Sequence, residues 1–195
     1  MFKHFFYSLL GVVFVVSCAG KSERKTNNAS DIDTLMQNVQ HADDDRQFLV
    51  KVGDYAPDFE MQLPEGGTVT LSSLRDKVVM LQFTASWCGV CRKEMPYIES
   101  QIWQKHKDNP HFALYGIDRE EPVEKIEELR RATNVTYPIG MDPDAGIFTL
   151  YAEKNAGITR NVIIDKDGKI VMLTRLFELD EFNHMVETID QLLTN

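Results

Sequence analysis

An α/β fold, a central mixed β-sheet flanked by helices, is what this chain predicts, and three observations carry that expectation. The run Val78-Val79-Met80-Leu81-Gln82-Phe83 is apolar and β-prone, as in a strand covered on both faces. Behind it, residues 92–103 space their apolar positions helically, and a second buried run follows at 112–117. A strand, a crossover helix and a strand make a parallel pair with a right-handed connection. Apolar runs at 162–165 and 169–173 flank Lys166-Asp167-Gly168, a turn signal that makes them an antiparallel hairpin and the sheet mixed.

Taken in order, residues 1–17 carry Lys3, an apolar core from Phe5 to Val16 and the small Ser17 ahead of Cys18. That order predicts a cleaved secretory leader, because the core falls short of the roughly 20 apolar residues of a retained spanning helix. Residues 18–47 are polar, end near Asp43-Asp44-Asp45 and predict a tether. Within it Ile32, Leu35, Met36 and Val39 recur at i, i+3, i+4 and i+7 behind Ser30, the pattern of a short amphipathic helix. Such a helix docks on its own domain or on a partner, since short helices need burial to persist. Residues 48–195 have the size of one domain with one core. There, 59–61 and 68–71 form a hairpin region, 78–84 the central strand, and the next helix runs to about 105. A strand at 112–117 precedes a helix at 122–132, a short strand near 137–140 and a helix near 145–152. Past the second hairpin, 180–193 close the chain as a helix with Phe182, Met185, Ile189 and Leu192 or Leu193 on one face.

With 21 basic and 30 acidic residues the formal net charge is −9, and loss of the leader removes only Lys3, leaving 20 against 30, or −10. This balance argues against nucleic acid as a partner and against adsorption to anionic lipid through a basic patch.

Two of the three cysteines stand three residues apart in Trp87-Cys88-Gly89-Val90-Cys91, where the apolar strand gives way to a helix. Cys88 falls at the helix N-terminus, where unpaired amides and the positive end of the dipole favour a thiolate. Cys91 lies one turn further in on the same face, so the pair makes a reversible disulfide. A structural disulfide and half a zinc site are the alternatives. A closed zinc site needs four ligands, and His41, His106, His111 and His184 are scattered without paired spacing. Glu94, three residues past Cys91, either relays the proton that Cys91 must lose or is a solvated helix carboxylate.

Val52-Gly53-Asp54-Tyr55-Ala56-Pro57-Asp58-Phe59 and Trp87-Cys88-Gly89-Val90-Cys91-Arg92-Lys93-Glu94-Met95-Pro96 resemble the TlpA/ResA-type branch of the thioredoxin-like superfamily, over about residues 50–193. Val15-Val16-Ser17-Cys18 resembles a bacterial lipobox, in which Cys18 becomes the lipid-bearing N-terminus. The resemblance implies a thioredoxin-like fold and a thiol-disulfide oxidoreductase, lipid-anchored to a bacterial membrane and facing the periplasm or the cell surface. It implies disulfide-containing client proteins, electrons from a membrane thiol donor, and no cofactor beyond the Cys88/Cys91 pair. Cys88 attacks, Cys91 resolves, and Gly89 and Val90 tune the thiolate where thioredoxin carries Gly-Pro. Trp87 takes the place of a partly exposed wall beside the thiols, against the alternative of ordinary core packing. Pro96 kinks the helix. Gln82 stands where thioredoxin has a buried acid, a role an amide cannot take. Thr159, in Gly157-Ile158-Thr159-Arg160-Asn161, stands where the family has a cis-proline. A cis bond before another residue costs about 2.5–4 kcal/mol, so Ile158-Thr159 is expected to be trans. Thr159 then either lies near Cys88, its hydroxyl favouring the thiolate, or its loop has shifted and the hydroxyl is solvated.

Two other functions compete. A copper-handling module would use Cys88 and Cys91 as soft ligands, but relatives of that kind space the cysteines more widely and add a histidine. A thiol peroxidase of this fold needs a Thr three residues before the reactive Cys, where Ala85 stands.

Overall fold

The computed structural model of the protein describes residues 47–194; the leader, Cys18 and the amphipathic stretch at 32–39 lie outside the described residues. Seven strands form one sheet there: β1 (Glu60–Gln62), β2 (Thr68–Thr70), β3 (Val78–Thr84), β4 (Phe112–Arg119), β5 (Ile139–Asp142), β6 (Arg160–Ile164) and β7 (Ile170–Arg175). Their order is β2-β1-β5-β4-β3-β6-β7. β3 takes an inner place because all of its residues are apolar enough, or well enough bonded, to be buried. It runs parallel to β4 and antiparallel to β6, and β4 runs parallel to β5, so the sheet is mixed as expected. The hairpin turn between β6 and β7 places Gly168 at φ 86°, and Asp165 receives the N–H groups of Asp167 and Lys169 on its side chain.

The helices are α1 (Gly89–Ile98), α2 (Val123–Thr133), α3 (Phe148–Tyr151) and α4 (Leu179–Thr194). Alternation along the strands feeds two cores. One face carries Val79, Leu81 and Phe83 with Cys88, Cys91, Phe148 and Tyr151. The other carries Val78 and Met80 with Met95 and Ile98 of α1, Ile126 and Leu129 of α2, and Phe182, Met185 and Ile189 of α4. Phe182, Met185 and Ile189 are the stripe read from the sequence of α4.

Three elements depart from expectation. The helix expected at 145–152 is only Phe148–Tyr151. Ala145 sits at φ 59°, and the Asp142 carboxylate accepts the N–H groups of Ile147 and Phe148 at 2.9 and 2.8 Å, which delays the first helical turn. The strand expected at 137–140 is shifted to Ile139–Asp142, because Tyr137 is buried with its hydroxyl on Gln82. The helix after β3 does reach His106, but not as one regular helix: α1 continues as a π-helical turn over Glu99–Trp103 and a last turn at Gln104–His106. Pro96 lies three residues before that wide turn and cannot donate to the carbonyl of Arg92.

Candidate active site

β3 runs out at Thr84, and the chain turns through Ala85, Ser86 and Trp87 into α1. Cys88 is the N-cap: its backbone is extended at φ −79° and ψ 102°, and its Sγ accepts the N–H of Cys91 at 3.1 Å. Sulfur thus does what a capping oxygen does elsewhere, satisfying one of the amides that the first turn leaves unpaired. Cys88 and Cys91 form a disulfide with sulfurs 2.12 Å apart.

Thr159 lies directly against this pair. Its Oγ1 is 3.2 Å from the Sγ of Cys88 and 3.3 Å from that of Cys91, and the residue is 4 % exposed, which rules out a solvated hydroxyl. Disulfide sulfurs carry no proton, so the hydroxyl is the donor, with its single proton shared between the two contacts. The carbonyl of Thr159 accepts the N–H of Leu176, tying its loop to the end of β7. On the open side Trp87 is 65 % exposed, so it is not a core residue. Gly89 is exposed with open space where a Cβ would stand, and half-buried Val90 packs against the core cluster that holds the two cysteines.

Glu94 is not a solvated helix carboxylate: it is 2 % exposed. The Asn161 side-chain amide donates to its Oε1 at 2.7 Å, and that of Gln82 to its Oε2 at 3.2 Å. Gln82 is held in turn by the hydroxyl of buried Tyr137 at 2.6 Å, and Asn161 also donates to Thr174 at 2.9 Å. Burial raises the Glu94 pKa to about 7 in spite of the two amides, which favour the anion, and Glu181 adds a smaller upward push.

Two further carboxylates lie at the same end of the sheet. Glu121 accepts both the N–H and the hydroxyl of Ser86, the latter at 2.6 Å. Asp118, beside Thr84 across the β3–β4 ladder, is fully buried, and neither of its oxygens has a hydrogen-bond partner among the described residues. Burial, with a smaller contribution from Glu121, raises its pKa to about 8.

Sequence reasoning finds the cysteines, Trp87, Glu94 and Thr159; the structure sets Thr159 against both sulfurs, exposes Trp87 just ahead of Cys88, and buries Glu94 between Gln82 and Asn161. It misses Asn161, Tyr137, Thr174 and Glu121. Polar residues inside apolar strand runs, Gln82 in β3 and Asn161 in β6, are the available signal; nothing in the sequence announces the pairing of Ser86 with Glu121, 35 positions apart.

Residues 52–173 match the AhpC/TSA family. A thiol-disulfide oxidoreductase ResA from one strain of Bacillus cereus is 29 % identical over 122 residues, which cover 63 % of this chain and 68 % of that protein. A solution structure from Bacteroides thetaiotaomicron, described as a candidate protein disulfide isomerase, is 60 % identical with a TM-score of 0.75, over 76 % of this chain and 94 % of that one. A crystal structure from Chlorobium tepidum, described as a candidate thiol:disulfide interchange protein DsbE, is 26 % identical with a TM-score of 0.65, over 74 % and 99 %. The chain belongs to the AhpC/TSA family, has the thioredoxin-like fold, and is a thiol-disulfide oxidoreductase whose Cys-x-x-Cys pair is Cys88 and Cys91.

Proposed function

We propose that this oxidoreductase is a reductase of client protein disulfides, held by a lipid on Cys18 at a bacterial membrane and facing the periplasm or the cell surface. A membrane thiol donor returns electrons to the pair after each turnover. The observation that carries the dithiol chemistry is the Cys88/Cys91 pair at the N-terminus of α1, with the buried carboxyl of Glu94 one helical turn beyond Cys91, and the reductive direction rests on the resemblance to the ResA-type oxidoreductases.

In the forward direction the Cys88 thiolate attacks a client disulfide; one client sulfur leaves as a thiolate and the other joins Cys88 in a mixed disulfide. Cys91 must then lose its proton and attack the Sγ of Cys88, releasing the second client thiol and closing the pair. A carboxyl that titrates close to neutral pH takes that proton and gives it back with nearly equal ease. Gln82 and Asn161 hold Glu94 in place without competing for the proton, because side-chain amides do not titrate. Among the described residues, no third histidine, aspartate or glutamate joins the two cysteines as a metal-holding group, so no observation favours the copper reading.

Equilibration with thiol buffers tests the direction. A potential near thioredoxin's, about −270 mV, is expected; a value near that of a strong oxidant, about −120 mV, would refute the reductase reading. Thr159→Val removes the hydroxyl at nearly constant size. Because a hydrogen bond to a charged group is worth about 1.5–3 kcal/mol, the variant's Cys88 pKa should rise; an unchanged thiolate titration would end the role given to Thr159. For the anchor, Cys18→Ser should abolish incorporation of labelled fatty acid and leave the thermal unfolding of the domain unchanged.

A further inference from the structure

The loop that presents Cys88 is anchored by a residue outside the redox motif. Ser86 is the second residue before Cys88, and both of its hydrogen-bond donors go to the two oxygens of Glu121. Glu121 reaches it by way of an unfavourable backbone: Glu120 sits at φ 60°, a left-handed conformation in which any residue with a Cβ is crowded against its own carbonyl. That turn is fixed on both sides. The N–H of Glu120 donates to the carbonyl of Asp142 at 2.9 Å, and its carboxylate pairs with the Nε of Arg119 at 2.9 Å. The bend ends β4 and swings residue 121 across to the β3 loop, just before Pro122 caps α2.

We propose that Glu121 is a positioning residue of the redox centre, which clamps the loop leading into Cys88 and whose negative charge restrains formation of the Cys88 thiolate. The clamp acts on Ser86, and the backbone N–H of Cys88 bonds back to Ala85 at 3.0 Å, so residues 85–88 are fixed as one turn. Chain reach puts the carboxylate within about 10 Å of Cys88. A like charge at that range, partly shielded from solvent, opposes a second negative charge enough to lower the thiolate fraction about three- to tenfold, so the cysteine is held back from the strongly acidic thiols of oxidants. The same charge acts on Asp118 from the other side, in keeping with its place over this end of the sheet.

The experiment uses the reduced full chain in a Cys18→Ser, Trp103→Phe background, which leaves Cys88 and Cys91 as the thiols and Trp87 as the fluorescent reporter beside the clamp. At a pH below the Cys88 midpoint, Glu121→Gln should raise the iodoacetamide alkylation rate of Cys88 about three- to tenfold, since the alkylation rate follows the thiolate fraction. Glu121→Ala should do the same and also lower the fluorescence anisotropy of Trp87. Glu124→Gln, an exposed charge in the first turn of α2, should leave both within twofold and serves as the control. Ser86→Ala keeps the charge and the backbone bond; it should lower the anisotropy with little change in alkylation, and it remains readable if the Glu121 variants fold poorly. Unchanged alkylation in Glu121→Gln, an equal change in Glu124→Gln, or unchanged anisotropy in Ser86→Ala would overturn the proposal.

Discussion

Cys91→Ser is expected to accumulate mixed disulfides with client proteins, and Cys88→Ser to accumulate none. Only Cys88 has the thiolate-favouring position: it caps α1, accepts the N–H of Cys91, and directly follows the exposed Trp87 in the chain. Cys91 is fully buried one turn deeper, so a client disulfide cannot reach it directly. Removing the inner thiol leaves the first exchange intact and blocks the second, which strands the client on Cys88. Removing the outer one abolishes the first step. Neither variant completes a turnover, so both should be inactive in insulin reduction, and a non-reducing diagonal gel separates them. Equal trapping by the two would reverse or dissolve the assignment of roles.

Asp118→Asn is expected to stabilise the protein at pH 8 and to flatten its dependence of stability on pH. In the folded state burial raises the Asp118 pKa to about 8, while the unfolded chain titrates it near the ordinary 3.8. Between those values the native state keeps a proton that the unfolded state has released, so stability falls as pH rises. The favourable contribution is complete below about pH 4 and gone above about pH 8. Glu94 adds a slope of the same sign over the narrower window from the ordinary glutamate value of 4.5 to about 7. The Asp118 shift alone corresponds to about 6 kcal/mol as an upper bound, and local relaxation returns part of it, so a gain on the order of 2–4 kcal/mol at pH 8 is expected for the asparagine variant. Urea unfolding from pH 5 to pH 8 measures it. Parallel profiles for the wild type and Asp118→Asn would show that the carboxyl is solvated or paired in solution.

The sheet is legible because β3, β4 and β6 are apolar runs of strand length, and α4 because its stripe keeps one period for about three turns. Position 145 misleads the reading of α3. An alanine there gives no warning of a left-handed residue, and the carboxylate that caps the following turn belongs to Asp142, inside the preceding strand. The redox pair is legible because local spacing alone puts both thiols on one helical turn. Spacing also finds Glu94 but not its burial, which depends on Asn161 being carried to it by strand pairing, 67 positions along the chain. Gln82 is excluded as an acid on its chemistry alone, and its part in holding Glu94 comes from the packing of α1 on β3, which local spacing does not show.

Gln82, Asn161 and Thr174 are cross-strand neighbours on β3, β6 and β7, so the side chains around Glu94 form a single polar rung in an apolar face. Sliding any of these strands by one residue would turn its member of the rung to the opposite face and leave the others facing hydrocarbon. The rung therefore penalises misaligned sheets during folding in a way that valines and isoleucines, interchangeable along the strand, do not. Alignment of three strands and placement of the acid are one requirement, and selection acting on either preserves both.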